Sequence, residues 1–345
     1  PEVQALWPEI VCTRRWFHTN PELSFKEFNT AAKIVEYLKS YGITEIYEGC
    51  AGTGVVAVIR GGLEGPCIGL RADIDALPVL ETSDVEYKSK NTGVMHACGH
   101  DGHITGLLTA AKIINEERST LKGCVKLLFQ PAEEGYGGAK VMVDEGCLEE
   151  GKWGPHVDSV YGIHLWSYAS LGNICCAEGP VMAACDKFTI NVKGKGGHGA
   201  APQGTVDAIV EAAAVVTALQ TIVSRNMDPL ETSVITCGTI KGGYGYNIIA
   251  DQVEIVGTTR SFTRDAQETI KSRMSCICCG VAQTYGGEID LCYEENFPPT
   301  INSYPECHKV VTRAAAKVVG QARASLPQKT MVAEDFSYFL HARPG

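Results

Sequence analysis

The pattern of apolar segments changes character once along this 345-residue chain, and that change limits the folds open to it. Before about Cys185, the runs Val55–Ile59, Cys67–Leu70, Val125–Phe129 and Val160–Ile163 are apolar at nearly every position. A helical stretch from about Asp101 to Glu117 lies between the second and third runs, with Ile104, Leu107, Leu108, Ala111 and Ile114 on one face. Such strands, joined through helices, predict an α/β domain whose mostly parallel sheet is buried on both faces. After Cys185 the predicted order is strand (Lys187–Val192), helix (Thr205–Val223), strand (Thr232–Lys241), strand (Gln252–Arg260), helix (Asp265–Tyr285), strand (Glu288–Tyr293). This β-α-β-β-α-β order is a ferredoxin-like α+β unit able to stand alone. Beyond Pro298-Pro299, a helix over Pro305–Val319 and the segment Met331–Leu340 read as a return to the first domain. The expected organisation is one discontinuous domain, residues 1–184 and 297–345, interrupted by an inserted domain of residues 185–296.

A helix is also predicted early in the chain. Phe28, Ala31, Ala32, Val35 and Leu38 recur at helical spacing, Ser24 and Glu27 have capping-box spacing, and Gly42 is placed to end the helix. A composition of 45% hydrophobic and 20% charged residues is that of a globular chain. The net charge of −10 argues against nucleic acid or an anionic membrane as partner. No apolar run approaches the ~20 residues of a membrane-spanning helix. No signal-peptide pattern is visible, although a start at Pro1 leaves a removed leader open. The fifteen cysteines are odd in number and are not spaced like a small disulfide scaffold. They read as buried free thiols in a reducing, cytoplasmic setting, with Cys276-Ile277-Cys278-Cys279 as helix core.

Several polar groups fall where a predicted strand has ended or a helix is about to begin, which is where open α/β sheets place ligands. In Arg71-Ala72-Asp73-Ile74-Asp75, the second carboxylate is suited to orient a metal-ligating imidazole by accepting its other N–H. A helix N-cap or a surface acid pair would read the same way. In Cys98-Gly99-His100-Asp101-Gly102-His103, the Cys-x-His pair can place sulfur and nitrogen on one ion, or on two ions sharing the thiolate. His96 and His103 read as supporting or structural residues. Glu133-Glu134 follows the strand Val125–Phe129. Adjacent carboxylates repel, and a metal site relieves this: one ligates, the other accepts a proton from a water that the ions activate. His164 closes the fourth run and would converge with the others at one sheet edge. Gly194-Lys195-Gly196-Gly197-His198-Gly199 matches a dinucleotide fingerprint in letters, but no βαβ repeat follows, so it reads as a glycine-rich loop exposing His198.

Taken together the motifs resemble those of M20 metallopeptidases, in the branch that includes hippurate hydrolases, N-acyl-amino-acid amidohydrolases and auxin–amino-acid conjugate hydrolases. The stretches that carry the resemblance are Phe17–Ser24, Leu70–Pro78, Met95–His103, Phe129–Glu134, Gly162–Leu165, Gly196–Pro202 and Ala333-Glu334-Asp335-Phe336. The resemblance implies that Cys98, His100, Glu134 and His164 ligate two divalent ions, that Glu133 is the general base and that Asp75 orients a ligand. It also implies that His198 reaches an active site, in relatives that of the partner subunit, and stabilises the oxyanion. Asn247 and Arg260 match positions that hold the substrate's carboxylate or carbonyl.

The implied activity is hydrolysis of the amide bond of an N-acyl amino acid in the discontinuous, metal-binding domain. The inserted domain would act as lid and dimerisation surface, its exposed sheet edge extending into a second copy. Sulfur suits zinc, and the oxygen and nitrogen ligands admit manganese, cobalt or nickel. Two features depart from the family pattern. Relatives carry a further His ligand in a C-terminal His-x-Pro-type segment, and His341 does not match it; Val332 stands where relatives usually have Gly. If the sequence is complete, one ion lacks a ligand, and a catalytically silent metal-binding or interaction protein becomes the alternative. An M20-type aminopeptidase or dipeptidase is a further reading, against which the Cys-Gly-His-Asp pattern speaks.

Overall fold

Successive side chains of a strand point to opposite faces of its sheet, and in the first part of this chain both faces are apolar. The computed structural model describes residues 2–324 and 329–345. They form two units. The first holds the described residues up to Glu178, those between Asn302 and Ala324, and Asp335–Gly345; the second holds Gly179–Ile301 and Lys329 to Glu334.

In the first unit, β1 (Glu45–Cys50), β2 (Gly54–Arg60), β3 (Leu63–Asp73), β4 (Lys122–Gln130) and β5 (Ser159–Gly162) form a sheet in the order β1-β2-β4-β3-β5. β3 is parallel to β4 and β5, while β2 is antiparallel to β1 and β4, so β2 alone runs against the other four strands. Val55, Ala57, Ile59, Val125, Leu127 and Phe129 face a core shared with α1 (Trp7–Thr19), α2 (Phe28–Ser40) and α3 (His100–Glu116), which contribute Phe17, Ile34, Leu38, Ile104 and Leu108. Val56, Cys67, Leu128 and Val160 face the opposite core, with Ala139 and Met142 of α4 (Gly138–Asp144), Trp153, and Phe339 and Leu340 of the helix Ser337–Ala342. The near-continuous apolar runs in the sequence are thus strands with helices on both sides.

The second unit contains β6 (Gly179–Met182), β7 (Ala184–Lys193), β8 (Gly197–His198), α5 (Ala208–Thr221), β9 (Ser233–Gly242), β10 (Ile248–Ile249), β11 (Gln252–Ser261), α6 (Arg264–Tyr285), β12 (Glu288–Phe297) and all but the last residue of β13 (Thr300–Asn302). Its main sheet has the order β12-β7-β11-β9 with every pairing antiparallel, the ferredoxin-like arrangement. Ala212, Val215 and Leu219 of α5 and Ile270, Met274 and Cys278 of α6 pack on Phe188, Ile190, Val192, Val253 and Ile255. The sequence placed the junctions at 184/185 and 296/297, whereas the units divide at 178/179 and 301/302, because β6 is strand-paired with β13 where the chain enters and leaves. Met331–Leu340 is also split, since the Thr330 N–H donates to the Val181 carbonyl at 3.0 Å and the Ala183 N–H to that of Val332 at 3.2 Å.

Three local expectations are corrected. Ser24 and Glu27 form no capping box: Ser24 donates to Asp75, and Glu27 accepts from Thr53 and from the Ala132 N–H. The Glu22 carboxylate caps α2 instead, accepting from the N–H groups of Asn29 (3.2 Å) and Thr30 (2.8 Å). Cys276 and Cys279 are exposed rather than core, because α6 buries Ile270, Met274 and Cys278 at four-residue spacing. The stretch Ala208–Asn226, 19 residues of mean hydropathy 1.4, is long and apolar enough to span a bilayer by composition, yet it lays one face on the second unit's sheet. All fifteen cysteines are free thiols.

A buried cluster joins α1 to the start of α3. His18 Nδ1 lies 2.8 Å from Asp101 Oδ2 and its Nε2 3.2 Å from Glu81 Oε1. The Asp101 hydrogen bond, outweighing burial and assisted by Glu81, holds His18 above its ordinary value, while both carboxyls are held below theirs. A histidine raised in this way contributes stability in full below its unfolded pKa of ~6.5 and loses it as pH rises through the folded value. His18→Leu is therefore expected to destabilise the protein by about 3 kcal/mol at pH 6. The deficit should shrink by pH 9, as read by urea unfolding; an equal deficit at both pH values would count against the cluster's role.

Candidate metal centre

The parallel strands β4, β3 and β5 end side by side, and the polar residues named from the sequence follow those ends. β3 ends at Asp73, with Asp75 two residues on. β4 ends at Gln130, and the chain turns through Ala132, held at φ +55°, into the single helical turn Glu133–Tyr136. β5 ends at Gly162, two residues before His164. Gly99, at φ +88°, lets the chain fold between Cys98 and the first residue of α3, His100.

The first unit brings together every site residue expected of it. Donor atoms of Cys98, His100 and His164 lie within 4.8 Å of one another, and so do those of His100, Glu133 and Glu134, so His100 belongs to both groups. Cys98 Sγ is 3.5 Å from His164 Nε2, and His100 Nε2 is 3.8 Å from Glu134 Oε1. Both imidazoles are oriented by backbone carbonyls. His100 Nδ1 donates to Asp75 O at 2.9 Å and His164 Nδ1 to Leu165 O at 2.6 Å, which turns each Nε2 lone pair towards the shared space. The Asp75 carboxylate accepts from Ser24 Oγ (2.6 Å) and the Glu134 N–H (3.0 Å), tying three elements to the same point.

These residues fit a divalent cation. Among the described residues His100 Nε2 and Glu134 Oε1 are buried without a hydrogen-bond partner, an arrangement that costs free energy unless a further group satisfies it. Burial disfavours an imidazolium at His100, but the Asp73 and Asp75 carboxylates and Cys98 outweigh it and hold this residue well above its ordinary value. Burial pushes the Glu134 carboxyl up, offset only in part by His100. A pocket that draws a proton this strongly draws a metal cation for the same electrostatic reason. His96 differs: burial pushes it down to about 4, and neither ring nitrogen has a hydrogen-bond partner among the described residues.

The remaining expected residues belong to the second unit. His198 and Asn247 are neighbours, because β8 pairs with β10 and the Gly199 N–H donates to the Asn247 carbonyl at 2.8 Å. Arg260 is not brought to them. It stands eight residues past Gln252 on β11, about 27 Å along the strand at ~3.4 Å per residue, and its guanidinium bonds Thr258 and the Thr259 carbonyl. The sequence pattern assigned no role to Arg71 or Asp73 and read His103 as supporting or structural. Asp73, His100 and His103 present donor atoms within 4.8 Å of one another. The Asp73 oxygens are already engaged, one by His103 Nδ1 at 2.5 Å and the other by Arg71 Nη1 at 2.7 Å, which suits an anchor better than a ligand. The available signal was spacing: Arg71 and Asp73 share a strand face, and His103 lies three residues from His100 on a helix.

Known proteins carry the same pattern. An N-acyl-L-amino acid amidohydrolase of Geobacillus stearothermophilus is 42% identical over 301 residues, covering 87% of this chain and 80% of the relative. A hippurate hydrolase of Campylobacter jejuni is 38% identical over 344 residues, covering 99% and 88%. The crystal structure of Bacillus subtilis YxeP, a dinuclear metal binding peptidase from the M20 family, superposes with a TM-score of 0.85 at 32% identity, covering 99% of this chain and 88% of that one. Residues 69–345 match the profile of peptidase family M20/M25/M40, and the protein belongs to that family.

Proposed function

We propose that this protein is a metal-dependent amidohydrolase that cleaves the amide bond of N-acyl amino acids, with Cys98, His100, Glu134 and His164 holding two divalent ions. The observation that carries the reading is the pair of buried atoms without a hydrogen-bond partner among the described residues, His100 Nε2 and Glu134 Oε1, beside a thiol and a second oriented imidazole. The similar proteins named for N-acyl-L-amino acids and hippurate support the substrate class. The thiol favours zinc, with manganese, cobalt and nickel compatible with the remaining donors.

When bound, the ions supply a nucleophilic water at neutral pH and polarise the scissile carbonyl. Glu133, next to Glu134 and buried, receives that water's proton on its carboxylate and delivers it to the departing amine nitrogen. Asp75 keeps His100 and the Glu134 backbone in register through the contacts described above. His198 donates a hydrogen bond to the carbonyl oxygen as negative charge develops there, and Asn247 and Arg260 hold the substrate's carboxylate or carbonyl. The separation of Arg260 from His198 and Asn247 along β11 supports a homodimer in which the two groups serve different active sites. β9 and β12 are the outer strands of the main sheet among the described residues, which suits pairing by sheet extension. The fifteen free thiols fit a reducing compartment such as the cytoplasm.

Glu133→Gln is expected to retain metal while kcat for an N-acyl amino acid falls by at least ~10², the usual scale of a general-base contribution. Near-normal turnover would remove Glu133 from the role. Because His100 is held above its ordinary value, protons compete with cations as pH falls. Zinc affinity is therefore expected to drop towards ~10-fold per pH unit below the folded-state value of His100, read by chelator competition. A pH-independent affinity would contradict the assignment of His100. Light scattering at micromolar concentration should give a dimer; a monomer would count against the two-copy site.

A further inference from the structure

We propose that a buried chain of side chains, Asp335–Arg71–Asp73–His103, positions His164 and sets the affinity of the Cys98–His164 corner for its cation. This rests on the metal-centre reading above. His164 lies two residues beyond the end of β5, where strand pairing has stopped and the flanking Ile163 and Leu165 are exposed. Its ring is fastened through Nδ1 to the carbonyl of Leu165, so its placement follows the Leu165 backbone, whose N–H belongs to the His164–Leu165 peptide. His103 anchors that peptide: the Leu165 N–H donates to His103 Nε2 at 2.8 Å, and the two imidazoles pack edge to face with centroids 4.6 Å apart.

The direction of each bond follows from the next. An accepting Nε2 assigns the His103 proton to Nδ1, which donates to Asp73 Oδ1. Asp73 Oδ2 accepts from Arg71 Nη1, and the same guanidinium donates to Gln130 Oε1 (Nε, 2.7 Å) and Asp335 Oδ1 (Nη2, 3.0 Å). The Asp335 carboxylate also accepts from the Gln130 amide at 2.8 Å and from the Ala139 N–H at 3.0 Å. Asp73, Gln130 and Asp335 are 0% exposed, His103 3% and Arg71 5%, so water cannot take over a bond that is lost. Charge placed at Asp335 fixes Arg71, which fixes Asp73, which fixes both the tautomer and the tilt of His103. The Ala333-Glu334-Asp335-Phe336 motif, which the ligand set leaves without a task, thereby acquires one as a source of positioning residues.

The test is a titration of Co2+ into the metal-free full chain, following the thiolate-to-cobalt band that reports the Cys98 corner, with zinc measured by competition. His103→Phe keeps the ring packing and removes the acceptor; it is expected to weaken the thiolate-reported binding by about 10- to 100-fold, the scale seen when a partner of a metal-ligating group is lost. Asp335→Asn, at the far end of the chain, is expected to weaken it in the same direction. Thermal unfolding of the metal-free variants separates positioning from packing, because a merely structural chain would lower Tm and leave the affinity of the folded protein unchanged. That result, or affinities within about twofold of wild type for both variants, overturns the inference. If Asp335→Asn does not fold, His103→Phe decides alone. A wild-type chain that binds Co2+ without a thiolate band would sink the metal-centre reading itself, and this inference with it.

Discussion

A sheet covered by helices on both faces leaves polar side chains only one place to converge, the line where its strands end. That constraint organises the first unit. β3, β4 and β5 run in the same direction, so their carboxyl ends fall together, and the segments leaving them carry Asp73 and Asp75, Glu133 and Glu134, and His164. α3 begins at the same edge, and its first turn brings His100 in beside Cys98. The apolar packing of Val55, Leu127, Phe129 and their neighbours holds the strand ends in place, and the long connection from β3 to α3 brings Asp75 and Cys98 to the same edge.

What suits this gathering to a divalent cation is the control of lone pairs. A carbonyl takes the Nδ1 proton of His100 and another that of His164, which leaves each Nε2 to face the thiol and carboxylate. The surrounding acids raise the affinity for positive charge, and burial keeps water from screening it. Asp75 contributes through geometry as much as charge, since its carbonyl and carboxylate together grip His100, Ser24 and the Glu134 backbone. The second unit offers a different surface: two short strands join His198 to Asn247, while Arg260 is held far along β11.

Much of this was legible in the residues. Period and composition distinguish the buried strands of the first unit from the alternating strands of the second, and Gly42 ends α2 at φ +80° as its position predicts. Other readings failed where two local chemistries compete for one side chain. Ser24 has the spacing of a cap but satisfies the Asp75 carboxylate, and Glu22 takes over the helix end. The cysteines of α6 are adjacent in sequence but lie around a cylinder, so Cys278 is buried while Cys276 and Cys279 face outward.

The sequence by itself determined the kind of chemistry available, because thiol, imidazole and paired carboxylates at strand ends are properties of residue type and local period. It also determined the two architectures, through patterns that repeat within a few residues. Only the tertiary structure decided which atoms are committed and which are left over. Asp335 meets Arg71 across 264 residues of chain, and His103 meets the Leu165 N–H across 62. Hydrogen bonds of that reach depend on how strands and helices pack in three dimensions, and local spacing carries no record of them.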